Sequence, residues 1–454
     1  MKRLLGLSVI LTMVLCIGLT PIALAEEPKA KLSVMYWDNT NLGTKDDAYQ
    51  WIMDTYEKWD KKDSVEIEML PQMGTSNDMF TKACLMMQSK EKTPDIYLDD
   101  SFQAVSDAAA GYLLDLTPYV NAWPTWTDGS YYEASKSMVI DGQGKIYGIP
   151  IETDARGIWM NMDILEMAGL GRDWEPENWQ SLLDGLKEIK ERCPDVIPIW
   201  FKAVGNSEGT TVNNFLQFLL GTDSGLYDWN SGKWNLYSQG MLDTFEFYSA
   251  IVENGLTGPL AEICATSSDA NGYEYMRNGK CAMQVGGSFV AGAQFAPGTS
   301  FEWDGYENIL KFVAVPTQYG QGLGHVTVSG GYSLTVPALS DETELAAEFI
   351  MEMMDNLDGL CYRVVSNGSL ACRNISGANN YATYVEQPFI ELATSFLEWT
   401  QYRPQVGSYS LVSGYLSTAL EAVVCGEEPK VAMETLYNDV MNSLGVDSVM
   451  RTLD

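Results

Sequence analysis

KLSVMYWDNTNLGTKDDAYQWIMDTYEKWDKKDSVEIEM, Lys31–Met69, is the stretch whose reading decides the fold. Leu32–Trp37 is an apolar run of β type. Tyr49, Ile52, Tyr56 and Trp59 then recur at helical spacing, and Val65, Ile67 and Met69 alternate with Glu66 and Glu68 as the two faces of a strand do. Strand, helix and strand in so short a span predict an α/β protein with largely parallel sheets and helices on both faces. Later segments repeat the pattern. Pro176 marks a helix start followed by Trp179, Leu182, Leu183, Leu186 and Ile189 on one face. Ala346, Phe349, Ile350, Met353 and Leu357 form a second stripe, with Ser340 and Asp341 as capping candidates. Such stripes are packing faces.

The chain has 454 residues, 46% of them hydrophobic, room for two or three domains and too apolar for disorder. Its 28 Lys and Arg stand against 61 Asp and Glu, a net charge of −33. Neutralising phosphates takes clustered cations, and no such run exists, so nucleic acid and anionic membrane surfaces are excluded as expected partners. The single histidine, His325, follows a Gly-rich loop, Gly320–Gly324, and reads as a surface residue, not the base of a triad. No G-x-S-x-G elbow, phosphate-binding P-loop or H-E-x-x-H occurs. Asp228, Asn230 and Gly232 have a faint calcium-loop spacing, but the required Gly and terminal Glu are misplaced, so they read as a turn. Neither cofactor nor metal is called for.

Met1–Ala25 opens with Lys2 and Arg3, continues through an apolar stretch to Ile22 and ends Ala23-Leu24-Ala25, the pattern of a secretory signal peptide cleaved after Ala25. Cys16 follows the bulky Leu15, which disfavours a lipid anchor and leaves a periplasmic or cell-surface location. Seven cysteines remain: Cys84, Cys193, Cys264, Cys281, Cys361, Cys372 and Cys425. No C-x-x-C pair suggests zinc or redox work. Export permits disulfides, and Cys361 with Cys372 is the nearest pair in sequence; buried free thiols are the alternative.

The positive chemical signal is aromatic: 13 Trp, 24 Tyr and 14 Phe, several of them where β runs end beside a carboxylate or amide. A pyranose offers an apolar face that stacks on a ring and a rim of hydroxyls that pair with carboxylates, amides and Arg. Open α/β sheets place ligands at the carboxyl ends of strands, where these residues fall.

Five ordered stretches resemble the extracellular solute-binding proteins of ATP-driven sugar importers, the family that includes maltose-binding protein. They begin with TPDIYLDD (Thr93–Asp100) and LLDLTPYV (Leu113–Val120), then GKIYGIPIETDARGIWMNMDIL (Gly144–Leu165) with PENWQSLL (Pro176–Leu183). MRNGKCAMQVGGSFVAG (Met276–Gly292) and GGYSLTVPALSDETELAAEFI (Gly330–Ile350) follow. RPQVGSY with STALEAVVCGEEP closes the series (Arg403–Pro429). The resemblance implies the two-lobed periplasmic-binding-protein fold of type II, with each lobe a sheet flanked by helices and hinge closure over a ligand between them. It puts chain crossings near Pro150, Pro316 and Asn356. Residues 26–150 and 317–356 would then form the first lobe, and 151–316 and 357–454 the second.

By the same resemblance Asp154 stands where the family often has a ligand-binding acid, with Glu152 and Arg156 beside it. Asp99 matches a cleft position that is frequently aromatic in relatives, Phe289 one that is often Trp, and Tyr332 another stacking position. Trp37 and Asp38 end the first strand at the cleft mouth, Trp200 and Asn206 lie in the variable second-lobe loop, and Arg403 completes the set. The implied function is capture of a neutral carbohydrate, an oligosaccharide, by a monomeric binding protein that delivers it to an ABC-transporter permease. The rivals are a glycan-cleaving enzyme using Asp99, Asp100, Glu152 and Asp154 as paired carboxylates, a binding protein for an amine or peptide, and a surface adhesin.

Overall fold

The computed structural model describes residues 29–38, 46–73 and 76–453; the expected signal peptide and its cleavage site lie outside them. Two main sheets organise the chain. The first has the strand order Val65–Gln72, Ala30–Trp37, Ile96–Asp100, Tyr332–Thr335, Ile149–Pro150. Its first three strands are parallel, with Val34 opposite Ile96, whereas Tyr332–Thr335 runs antiparallel to both its neighbours. Pro71, which has no N–H to give, is tolerated because its strand lies at the sheet edge. The second sheet has the order Leu310–Val313, Arg156–Asn161, Cys281–Gly287, Ile197–Trp200, with only the last pair parallel. The sheets are therefore mixed, not largely parallel. Strands such as Tyr332–Thr335 enter from a distant part of the chain, and local periodicity carries no information on their direction.

Both faces of the first sheet are covered. Leu32, Val34, Tyr36, Ile96 and Leu98 face the main core, while Met35 and Tyr97, one residue out of step, pack with Met79, Phe80, Ala83 and Ala104. That period of two lets one strand serve two helical layers. Helix Asp47–Lys58 starts where the Asp46 carboxylate accepts N–H bonds from Ala48 at 2.9 Å and Tyr49 at 3.2 Å. It then buries Trp51, whose indole donates to Met353 O at 3.1 Å. The next stripe begins later than Pro176 suggests: the helix is Trp179–Arg192, and Asn178 and Ser181 satisfy each other's backbone in a capping box. Thr343–Asp355 ends the following stripe short of Leu357, which opens a new helix, Leu357–Ser366, capped by Asn356. That new helix packs chiefly on Asp47–Lys58, beside the first sheet. Tyr409–Val424 and Pro429–Leu444 pack on Gln239–Glu253 and on each other.

Four segments meet between the sheets. Glu152–Thr153 pairs with Leu370–Ala371, and Val328–Ser329 with Gln401–Tyr402. Thr153 Oγ1 donates to Gly330 O at 2.8 Å and lies 2.8 Å from the Tyr402 hydroxyl. Gly331 (φ 146°) is needed here, since a Cβ would stand 2.1 Å from Glu152 O. All seven described cysteines are free thiols, four of them buried. Among the described residues no helix is long and apolar enough to cross a membrane.

Candidate functional site

The strand ends and the four-segment junction bring most of the expected residues together. Trp37, the last residue of its strand, is half-buried with its ring 6.4 Å from that of Tyr332, tilted by 40°. Tyr332 sits opposite Asp100 in the sheet and accepts the Ile151 N–H at 3.0 Å, so its ring stands where the first sheet meets the junction. Asp38, next to Trp37, is buried and donates its N–H to Gln72 O at 3.0 Å.

Glu152, Asp154 and Arg156 follow one another through the junction, and all three are buried. Asp154 Oδ1 accepts from Arg156 Nη1 at 2.9 Å and from Gly330 N at 2.7 Å. Arg156 Nε donates to Asn213 Oδ1 at 2.6 Å. Glu152 Oε1 accepts from Arg363 Nη2 at 3.2 Å and Asn367 Nδ2 at 2.9 Å; Arg363 is also paired with Asp47. Burial pushes the Glu152 carboxyl up to about 7 against the pull of Arg363.

Arg403 is more enclosed than its place in a loop suggests. Its guanidinium joins Asp100 Oδ1 at 2.8 Å, Glu208 Oε1 at 3.0 Å and the Ser101 hydroxyl, and lies 5.4 Å from the Phe102 ring centroid. Asp100 is also the cap of helix Ser101–Ala109, accepting the Phe102 N–H at 3.1 Å. Glu208 is held further by the Tyr409 hydroxyl at 3.0 Å and by Ser413. One residue thus ties the first sheet's strand end to the segments packed near the second sheet. Gly330 lies between Arg156 and Arg403: a Cβ there would come within 2.9 Å of both guanidinium groups.

Phe289 is half-buried after strand Cys281–Gly287, held by Ser288, which bonds Ala155 N–H and C=O. Asn206, in the left-handed region at φ 51°, lines a groove of about 240 Å³ with Phe80, Phe102, Gln103, Glu208 and Ser410. That groove runs between helices of the first sheet and the start of helix Tyr409–Val424.

Two expected residues are placed elsewhere. Trp200 is 1% exposed, donates its indole N–H to Ser268 O at 3.0 Å and packs against Gly258 and Gly272, deep in the second-sheet core. Its ring lies against helix Ser268–Arg277, 5.2 Å from the Tyr275 ring, and so never reaches the surface. Asp99 is fully buried on the same face as Tyr97, and desolvation together with Asp107 and Asp100 drives its pKa well above the carboxylate range. The parity of the strand selects Asp100 in its place. Glu208, Asn213 and Asn367 escaped sequence reasoning, and Asp100 entered it only as one of the paired carboxylates of the enzyme rival. The cap position of Asp100, directly before a helix, was the one local signal among them.

The arrangement is that of a two-lobed binder, with ring surfaces and a partly buried network of acids, amides and arginines at the joint. The chain belongs to the bacterial extracellular solute-binding protein family, whose sequence model matches residues 41–355. Among relatives, a putative binding protein of Brucella abortus is 23% identical over 299 residues, 64% of this chain. The chain spans 66% of that relative's length, just under two thirds. The lactose-binding protein of Rhizobium radiobacter is 21% identical over 72% of this chain and 73% of its own. The GacH receptor of Streptomyces glaucescens, solved unliganded and with acarbose, superposes with a TM-score of 0.73 at 17% identity, covering 92% of this chain and all of that one. The two-lobed periplasmic-binding-protein fold is thereby established.

Proposed function

We propose that this protein captures a neutral carbohydrate, an oligosaccharide, between its lobes and passes it to an ABC-transporter permease. The observation that carries this is the half-buried Trp37 and Tyr332 ring pair beside the junction occupied by Glu152, Asp154 and Arg156. A sugar needs a ring to stack on and fixed acceptors and donors for its hydroxyls. The names of two relatives, a lactose-binding protein and a receptor crystallised with acarbose, favour the same class. Trp37, Asp38, Glu152, Asn206, Phe289 and Tyr332 are the ligand-facing set; Asp154, Arg156 and Arg403 brace the joint. Capture rather than catalysis is favoured because Asp154 Oδ1 is already taken by Arg156 and the Gly330 N–H, which suits a fixed acceptor better than one half of an acid–base pair.

The first lobe comprises residues 26–150 and 317–366, extended past the crossing expected near Asn356 because helix Leu357–Ser366 packs on Asp47–Lys58, and the remainder forms the second. The protein works as an exported monomer, its leader cleaved after Ala25. Closed lobes are favoured by the contacts the sugar makes with both halves, and the permease distinguishes that shape from the open one.

A thermal-shift series on the mature chain tests the reading with maltotriose, lactose and spermidine. A ligand at 100 times its Kd stabilises the folded state by about 2.7 kcal/mol. A rise in Tm with a sugar and none with spermidine is expected. A rise with spermidine alone overturns the sugar assignment, and sugar hydrolysis products in the mixture overturn the non-enzymatic one.

A further inference from the structure

Trp229 is 62% exposed, whereas the other twelve tryptophans are buried or half-buried. It stands at the tip of a hairpin made by Tyr227–Asp228 and Lys233–Tyr237. The tip is rigid. Asp228 accepts from Asn230 N at 3.1 Å and from Ser231 Oγ at 2.6 Å, and Gly232, at φ 70°, donates its N–H to Asp228 O at 2.8 Å. Tyr227 contacts the Trp229 ring edge-on at 5.0 Å and the buried Trp234 at 4.8 Å. Trp234 is in turn fixed by its bond to Ser408 Oγ at 3.0 Å. An aromatic relay from core to surface therefore holds an exposed indole in one attitude, which neither core packing nor turn formation requires.

Two adjoining cavities, about 530 Å³ and about 360 Å³, share Trp229, Asp141, Gly142 and Gln405 in their walls. Both volumes fall in the range of small-ligand sites. Opposite Trp229 lies a second braced turn, where Asp141 Oδ1 accepts the N–H groups of Gln143 at 2.8 Å and Lys145 at 2.9 Å. Gln405 donates to Arg403 O at 3.1 Å, and its Oε1 is a buried acceptor with no hydrogen-bond partner. Arg403 lines the smaller cavity, while its ion-pair partner Glu208 lines the 240 Å³ groove; the pair stands between the two spaces. Neither Trp37 nor Tyr332 lines either of the Trp229 cavities.

We propose that the groove around Trp229 is a second carbohydrate-binding site, taking a neutral sugar whose apolar face stacks on the indole and whose hydroxyls pair with Asp141, Gln143 and Gln405. A ring together with a carboxylate and amides is the pairing a pyranose uses. Lys145 is paired with Asp115 at 3.4 Å and so supplies no unshared cation for an anionic guest. The proposal rests on the carbohydrate reading above.

Titration calorimetry of the mature chain with maltotriose and with lactose tests it, using wild type, Trp229→Ala and Trp37→Ala. The wild type is expected to bind two equivalents of at least one sugar. Trp229→Ala should keep one equivalent at an unchanged Tm, since the exposed ring supports no core, and Trp37→Ala should keep the other. If Trp229→Ala lowers Tm, Trp229→Phe replaces it, with the second Kd rising tenfold or more. One equivalent in the wild type, unaltered by either Trp229 change, overturns the second site and leaves the carbohydrate reading standing. No binding of either sugar by the wild type overturns both.

Discussion

Glu152 shows how burial converts a side chain into a pH-sensitive element. Its carboxyl is raised from the ordinary Glu value to about 7, chiefly by desolvation. A carboxyl whose folded value lies above its unfolded one binds protons preferentially in the folded state. The stability it contributes is complete below the unfolded value and is lost as pH rises through about 7. Asp46 and Asp107, each raised to about 6, act with the same sign. Wild-type Tm is therefore expected to fall between pH 5 and pH 8. Glu152→Gln should flatten the curve, removing up to about 3 kcal/mol of pH-dependent stability while its amide oxygen still accepts from Asn367 and Arg363. Parallel curves for the two proteins would show that the titrating group lies elsewhere.

Among the elements, the junction strands depend on close backbone approach more than on side-chain bulk. Gly331 donates no side chain to any core, yet its carbonyl accepts the Ser101 N–H at 2.9 Å and its Cα faces Glu152 O. Gly331→Ala is expected to cost roughly 1–3 kcal/mol in a urea melt, because the methyl must displace backbone and the φ is unfavourable for an L residue. Gly322→Ala is the control. Gly322 also has a positive φ, 63°, but open space around its Cβ position, so strain without collision should cost about 1 kcal/mol. Equal losses in the two variants would mean that the close approach at the junction carries no energetic weight.

For the whole molecule, Arg403 joins Asp100 to Glu208 across remote segments, and this link is expected to favour closed lobes over open ones. Asp100 and Glu208 reach one guanidinium from segments more than a hundred residues apart in the chain. Removing one partner of a buried charge cluster costs several kcal/mol, since the carboxylates left behind lose their compensation. Arg403→Met is expected to raise the radius of gyration of the unliganded protein in solution scattering. Arg403→Lys should not restore it, because a single ammonium cannot reproduce the planar fork that joins two carboxylates. An unchanged radius in Arg403→Met would assign closure to the Ser410 contacts with Phe102, Gln103 and Ser106 instead. The alternating apolar and polar residues of Lys31–Met69 determined by themselves that strand, helix and strand would form, and the ordered stretches from Thr93 to Pro429 determined the family, because both signals are local. Trp37 was legible as the end of the first apolar run for the same reason, whereas Tyr332 came only through the family resemblance. Only the tertiary structure decided that Asp100 and not Asp99 meets Arg403, since facing depends on strand parity and on pairing with Tyr332 from a distant segment. It alone buried Trp200 against helix Ser268–Arg277 and brought Glu208 to Arg403: contacts between remote segments are fixed by packing, and no local pattern encodes them.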